Sequence, residues 1–279
     1  MKLAAVTGCD ANFVLGAATL LRDVKKYHPA VKRYCITPAK DAVAVQAKLG
    51  DLAEVMPAPR AIRVIPEAMQ PALLKLFTPL VDADIAVWID CDMILCRPAP
   101  ELWQVNPGEV VAVQDTAYKI LYMVEPALRE QYTKQFPAIV EGRGFNGGLF
   151  ALRCDEWKDL PERYENMFEA GGYAVHPKIW DQPFLNGLMQ PRVRYLPRAF
   201  NAHHVFDYSI PRDVRLVHFT NVPKPWQSGY PKHEPAYYYW LRYGLEEKRF
   251  LPLLKAKLRI GMRTPRRLLS RMLKNHGLR

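Results

Sequence analysis

The run Ile85-Ala86-Val87-Trp88-Ile89 has no polar residue at alternate positions, and it breaks off without transition into Asp90-Cys91-Asp92. A strand facing water on one side would alternate, so this one is expected to lie buried on both faces, inside a sheet covered by helices. That requirement narrows the chain to an α/β architecture. The flanking pattern agrees. Residues 3–7 read as a short strand and 8–12 as a loop, after which Phe13, Ala17, Leu20, Leu21 and Val24 recur at helical spacing until His28-Pro29 ends the pattern. Residues 33–37 read as a second strand and 41–49 as a second helix. Further strands are expected at 110–113 and at 148–152, the latter preceded by a glycine-rich turn over 142–148. Strand alternating with helix implies parallel neighbours, and in such sheets ligands bind beyond the carboxyl ends of the strands.

With 279 residues and 49% apolar composition, the chain can bury one substantial core. One domain over 1–250 with an appendage over 251–279 is the expected division. The formal charge of +11 would suggest a nucleic-acid partner if it were spread evenly, but residues 251–279 hold nine Lys or Arg and no acidic residue. The rest of the chain is close to neutral, so no specific nucleic-acid partner is expected. Cys9, Cys35, Cys91, Cys96 and Cys154 are scattered and odd in number, without a CxxC pair, which suits a reducing compartment. The opening residues are not expected to act as a signal peptide, and no apolar run approaches the roughly 20 residues that span a bilayer. A cytoplasmic protein is the expectation.

In an extended segment residues i and i+2 point the same way, so Asp90 and Asp92 are expected to present both carboxylates to one point. Adjacent carboxylates repel unless a cation joins them, and hard oxygen-seeking ions, Mn²⁺ or Mg²⁺, suit the pair while keeping positions open for phosphate oxygens. Alone, a DxD is weak: solvated turn aspartates are the commoner explanation. The segment His218-Phe219-Thr220-Asn221-Val222-Pro223-Lys224-Pro225-Trp226 follows a strand-like Arg215-Leu216-Val217. Its imidazole could complete a metal site, and Lys224 could meet a phosphate as a point charge. A lone histidine is more often a hydrogen-bonded core residue. Here it keeps company with Asp90-Cys91-Asp92, with Phe145-Asn146-Gly147-Gly148 and with Asp181-Gln182-Pro183-Phe184-Leu185-Asn186.

That combination resembles glycosyltransferase family 8, the retaining group with the GT-A fold, a mixed and mainly parallel central sheet flanked by helices. The resemblance extends over nearly all of residues 3–226. It implies that Asp90, Asp92 and His218 bind manganese, and that the His218 to Trp226 segment, with Asn221 in place of the family's glycine and with Lys224 on the phosphate, closes over the donor diphosphate. Asn tolerates positive φ better than most residues, so the loop can survive that change. By the same resemblance Thr7, Gly8, Asp10, Asn12 and Phe13 form a uridine pocket, in which Asp10 accepts from the base and Phe13 stacks on it. Lys75 and Cys91 fall among donor contacts. Asp115, Asn146 and Asp181 match residues that meet the donor sugar, and Gln182 matches the residue near its anomeric carbon. Without the resemblance, Asp10 reads as a helix N-terminal residue, Phe13 as core and Lys75 as an exposed helix lysine; Gly147 and Gly148 read as conformational glycines.

The implied activity is transfer of a hexose, glucose or galactose by default, from a UDP-sugar to a glycan or lipid-linked glycan. The metal and Lys224 would take up charge on the departing diphosphate while Gln182 and nearby carboxylates face the positive sugar ring. Retention is implied by the family; front-face attack is favoured and a covalent intermediate stays open. Two other classes compete. A haloacid dehalogenase type phosphatase also places a DxD after an apolar strand, but a small pair such as Gly-Thr usually follows it, where this chain has Met93-Ile94-Leu95. A non-catalytic nucleotide-sugar-binding protein would bind without turnover. In the basic tail, Thr264-Pro265 and Gly277 bracket a helix whose Leu268, Leu269, Met272 and Leu273 are ringed by Arg266, Arg267, Arg271 and Lys274. Such a helix suits peripheral contact with an anionic membrane.

Overall fold

The computed structural model describes residues 1–115, 120–137, 144–171, 181–203, 213–220, 223–230 and 235–244. Its strands are β1 (Leu3–Gly8), β2 (Lys32–Thr37), β3 (Glu54–Pro57), β4 (Ile85–Ile89), β5 (Met93–Leu95), β6 (Val110–Gln114), β7 (Phe145–Arg153), β8 (Val193–Leu196), β9 (Ala202–His203) and β10 (Leu216–His218). The helices are α1 (Val14–Tyr27), α2 (Ala42–Leu49), α3 (Ile120–Met123), α4 (Arg129–Gln135), α5 (Cys154–Trp157), α6 (Leu160–Ala170), α7 (Gln182–Met189) and α8 (Pro235–Tyr239).

Seven strands form the central sheet in the order β3-β2-β1-β4-β7-β6-β8. The first four are mutually parallel and β6 is parallel to β8, while β7 runs against both β4 and β6. The chain is therefore mixed α/β with a mainly parallel sheet, as expected. Reversal of β7 has a consequence for chemistry, because its first residues lie beside the last residues of β4 and β6. All five residues of β4 are buried. Ala86 and Trp88 join the core on one face with Ala4, Val6, Phe150 and Leu152, beneath α6 and α7. Ile85, Val87 and Ile89 join the core on the other with Ala5, Leu149 and Ala151, beneath α1. Both faces of one strand are thus covered, and burying each large side chain there is worth about 1.5–3 kcal/mol.

α1 divides its own apolar residues in the same way. Leu20 and Val24 pack on the sheet, whereas Val14, Ala17 and Leu21 pack with Val45 and Leu49 of α2. Residues 67–80 form a long 3₁₀ segment (Glu67–Leu80) interrupted by Pro71 and Pro79, which removes the backbone donors an α-helix would need. It buries Leu73, Leu74, Leu76 and Phe77, and it carries Lys75 inward with them.

A second sheet, β5-β10-β9, sits beside the end of β4. β10 is antiparallel to β5, with His218 opposite Met93, and parallel to β9, with His218 opposite His203. The stretch Met93-Ile94-Leu95 thereby pairs with the strand that bears the histidine.

Two local expectations are corrected. Phe145, Asn146, Gly147 and Gly148 are not in a turn: they are the first residues of β7, and the described glycines with positive φ are Gly50, Gly108 and Gly229. Asp90 and Asp92 do not converge by strand alternation either, since a tight turn closed by the Met93 N–H on the Asp90 carbonyl (3.0 Å) joins β4 to β5. The turn between these two buried strands brings both carboxylates within reach of one point. Among the described residues no helix is long and apolar enough to cross a membrane. The tail helix expected within 264–277 lies outside the described residues, as does Asn221.

Candidate active site

The ends of β1, β4 and β6 and the start of β7 meet at one rim of the sheet, and nearly all the described candidates lie there. Asp90 follows β4, its N–H held by the Gly148 carbonyl at 2.8 Å. Its Oδ1 accepts from the Trp88 indole N–H at 2.7 Å, a contact within the same strand face. Asp92 precedes β5, and its carbonyl accepts from the Phe219 N–H at 3.0 Å, so the β5–β10 pairing delivers His218. The His218 Nε2 lies 3.2 Å from Asp92 Oδ1 and 3.8 Å from Asp90 Oδ2. One ligand atom from each of the three residues falls within 4.8 Å of the others.

Asp92 Oδ1 is buried and has no hydrogen-bond partner; the imidazole approaches it off-angle. An orphaned carboxylate oxygen is costly in a protein interior, and two carboxylates beside an imidazole form the donor set of a hard or borderline divalent cation. The residues fit such an ion. Burial alone would raise the Asp92 carboxyl, but His218 and Lys224 hold it well below the usual carboxylate range. It therefore stays ionised and able to ligate.

Gly148 makes room for this arrangement. A Cβ there would meet His218 Cε1 at 2.4 Å, Asp90 Oδ2 at 2.7 Å and Asn146 Oδ1 at 2.9 Å. The glycine serves close approach and not the backbone conformation that the sequence suggests. Gly8 does likewise under Trp88, where a Cβ would sit 2.6 Å from the ring.

Around this centre runs a network of buried amides and charges. Lys75 Nζ donates to Asp181 Oδ2 at 2.7 Å and to the Gly147 carbonyl at 3.2 Å, and lies 3.6 Å from Asp90 Oδ1. The exposed-lysine reading is wrong, since Lys75 is 4% exposed. Burial would depress its ammonium, yet Asp181 and Asp90 keep it protonated well above ordinary lysine. Burial likewise pushes Asp181 up, and Lys75 more than offsets it, so that carboxyl is held low. Gln182, the first residue of α7, donates from Nε2 to Asp115 Oδ2 at 2.7 Å, and its Oε1 accepts from Asn146 Nδ2 and the Gly147 N–H, each at 3.2 Å. Asp115, at the end of β6, also accepts from Asn146 at 3.4 Å. The four residues Asp115, Asn146, Asp181 and Gln182 are thus brought together.

Lys224 is 5% exposed and donates from Nζ to Asp92 Oδ2 and the Phe219 carbonyl, both at 2.6 Å. In this state it neutralises Asp92. Thr7, the last but one residue of β1, is buried, its hydroxyl without a partner. Asp10 Oδ1 accepts from the backbone N–H groups of Asn12 and Phe13 at 2.9 and 3.1 Å, which closes the turn leading into α1. Its other oxygen meets Asn12 Nδ2 at 3.5 Å, so the helix-terminal reading and a base-binding role are compatible. Phe13 is partly buried, edge-on to Trp226 at 6.3 Å between ring centroids. Cys91 packs beside Cys9 and Cys35, whose sulfurs are 3.6 Å apart; burial and the neighbouring Asp92 raise its thiol well above the ordinary value.

Sequence reasoning passed over Trp88 and Asn201. Trp88 is signalled by standing two residues before Asp90 in a continuous strand. Asn201 carries no local signal, because its neighbours are set by the pairing of β9 with β10.

Comparison with known proteins places this geometry. No curated protein matches by sequence. Among solved structures, the galactosyltransferase LgtC in complex with donor and acceptor sugar analogues is similar at 18% identity and a TM-score of 0.58, covering 81% of this chain and 90% of LgtC. The glycosyltransferase GlyE of Streptococcus pneumoniae TIGR4 is similar at 16% identity and a TM-score of 0.62, with 95% of this chain and 64% of GlyE covered. The bifunctional glycosyltransferase WbbM is similar at 14% identity and 0.63, over 91% of this chain and 51% of that one. These likenesses establish the GT-A fold. The family model "Glycosyl transferase family 8" matches residues 70–229, from just before Lys75 to just past Trp226 and more than half of the chain, so this chain belongs to glycosyl transferase family 8 and is a glycosyltransferase.

Proposed function

We propose that this glycosyltransferase moves a hexose, glucose or galactose, from a UDP-sugar to a glycan or lipid-linked glycan acceptor with retention of configuration, at a site that holds Mn²⁺ or Mg²⁺. The observation that carries this reading is the convergence of Asp90, Asp92 and His218 around an oxygen, Asp92 Oδ1, that has no hydrogen-bond partner. A cation bound by these three would neutralise the diphosphate as it leaves. The similarity to a galactosyltransferase supports a hexose donor.

The positions of the side chains support the remaining roles. Asp10 Oδ2 would accept from the base, and the partly buried Phe13 ring would stack on it. Lys224 would leave Asp92 for a phosphate oxygen once the cation takes over the neutralisation of that carboxylate; its flexible stem permits the exchange. Gln182 and Asp115 would face the sugar, with Asp115 countering positive charge as it develops on the ring. Asp181 is engaged by Lys75 at 2.7 Å and Gln182 offers an amide, so neither is prepared as a nucleophile. That favours attack by the acceptor on the face the diphosphate leaves. Residues 1–250 would form the catalytic domain. The basic tail over 251–279 would place a cytoplasmic enzyme on the anionic face of a membrane, near lipid-linked acceptors.

A donor-hydrolysis screen across UDP-, GDP- and dTDP-sugars, with Mn²⁺ and with a chelator, tests the proposal. Turnover of a UDP-hexose that needs the metal is expected. Binding of UDP-sugar with no turnover under any condition would replace it with the reading of a sugar-nucleotide-binding protein.

A further inference from the structure

The orientations of Asn146, Asn201 and His218, all buried, trace back to a single backbone N–H. Gly148 N–H donates to Asn146 Oδ1 at 3.0 Å, and a backbone N–H cannot change from donor to acceptor. Reversing the Asn146 amide would turn its NH₂ onto that N–H and its oxygen onto Asp115 Oδ2 and Gln182 Oε1, which both accept from it now at 3.4 and 3.2 Å. The amide is therefore fixed from both ends. Asn201 meets the fixed Asn146 Oδ1 at 3.0 Å, so the atom it presents there must be Nδ2. Its Oδ1 then faces His218 Nδ1 at 3.1 Å and can only accept. It follows that Nδ1 carries a proton, and that in the neutral ring Nε2 is left with the lone pair, facing Asp92 and Asp90. Asn201 and Asn146 are 3% and 7% exposed, so water does not compete for these positions.

We propose that Asn201 is a positioning residue that holds His218 in its Nδ1–H tautomer, relaying the orientation imposed by the Gly148 N–H so that Nε2 is the ligating atom. The inference rests on the metal-site reading for its purpose, but the tautomer is a property of the metal-free protein. Removing a residue that hydrogen-bonds the far nitrogen of a metal-ligating histidine typically changes metal affinity about 10–100-fold.

The experiment is ¹⁵N NMR of the histidine-labelled, metal-free protein at a pH where the ring is neutral. His218 is assigned by the resonances lost in His218→Gln. The wild type is expected to show a protonated Nδ1 and an unprotonated Nε2. In Asn201→Leu the Nε2–H tautomer should become substantially populated, and Mn²⁺ affinity should fall about 10–100-fold. Asn201→Asp keeps an acceptor for Nδ1–H and should keep the wild-type tautomer. An Nε2–H tautomer in the wild type overturns the proposal whatever the variants do, even if Asn201→Leu does not fold. So does an unchanged tautomer in a folded Asn201→Leu. Absence of Mn²⁺ binding by the wild type would instead contradict the metal site, and the tautomer would still be read.

Discussion

At the scale of residues, the site depends on polar groups that are buried and yet not satisfied by one another. Asp92 has one oxygen held by Lys224 and one without a hydrogen bond, which is an unfavourable arrangement for a protein interior unless a ligand is to complete it. Gly148 shows how little slack surrounds that centre. Replacing it with Ala inserts a methyl into a space bounded at 2.4 Å by His218 and at 2.7 Å by Asp90, so the imidazole and carboxylate must separate. Gly148→Ala is expected to weaken Mn²⁺ binding at least 10-fold, by the typical cost of losing ligand positioning. It should also cost about 1–3 kcal/mol of stability through overpacking. Calorimetric titration together with thermal melting checks both. A variant that binds Mn²⁺ as the wild type does would show that the close approach has no bearing on the site. The two aspartates and the histidine were legible in the sequence because a continuous apolar run and a family-specific company surround them. Asn201 and the steric role of Gly148 were not, since each is defined by residues distant in the chain.

At the scale of elements, the sequence was most informative where an element is long and periodic. β1, α1, β4 and α2 stand within a residue or two of their expected bounds. β3, β5, β8 and β9 have two to four residues each, too few for a period to register, and the 3₁₀ segment Glu67–Leu80 follows no helical or strand template. α1 also contains a charge that composition conceals. Asp23 lies on its buried side, accepts from the Leu95 backbone N–H, and has Oδ2 without a partner. Burial pushes its carboxyl up to about 7, with Lys26 and Arg22 only partly opposing. In the unfolded chain the group titrates near 3.9. Between those values the unfolded state is charged while the folded state is not, so this group's contribution to stability is present below about pH 4 and is lost as pH rises toward 7. Asp23→Asn keeps the acceptor for Leu95 and removes the penalty. The variant should match the wild type in thermal stability near pH 4 and exceed it at pH 8 by an amount on the order of 2–4 kcal/mol. Equal stability across that range would mean that the carboxyl ionises freely where it stands.

At the scale of the whole molecule, two sheets divide the work. The seven-stranded sheet supplies Asp90, Asp115 and the start of β7, and the three-stranded sheet supplies His218 and Asn201 from the other side. The α/β class, the mainly parallel sheet and the placement of ligands at strand ends were readable from the sequence. Pairing of β5 with β10 was not, although it decides whether the histidine reaches the aspartates. We propose that the basic tail bears on where the enzyme works and not on its chemistry. Removing residues 251–279 should reduce sedimentation with anionic liposomes while leaving donor hydrolysis within about 2-fold, in keeping with a contact worth about 1 kcal/mol per basic residue near a charged surface. Unchanged sedimentation would end the membrane proposal. The central claim concerns the three side chains that meet where the two sheets adjoin. Equilibrium titration of Mn²⁺, read by the electron paramagnetic resonance of the free ion, tests it most directly. One ion per chain should bind the wild type, and His218→Ala should lose at least 10-fold in affinity, as expected for a lost ligand. Equal binding by the two proteins would contradict the account.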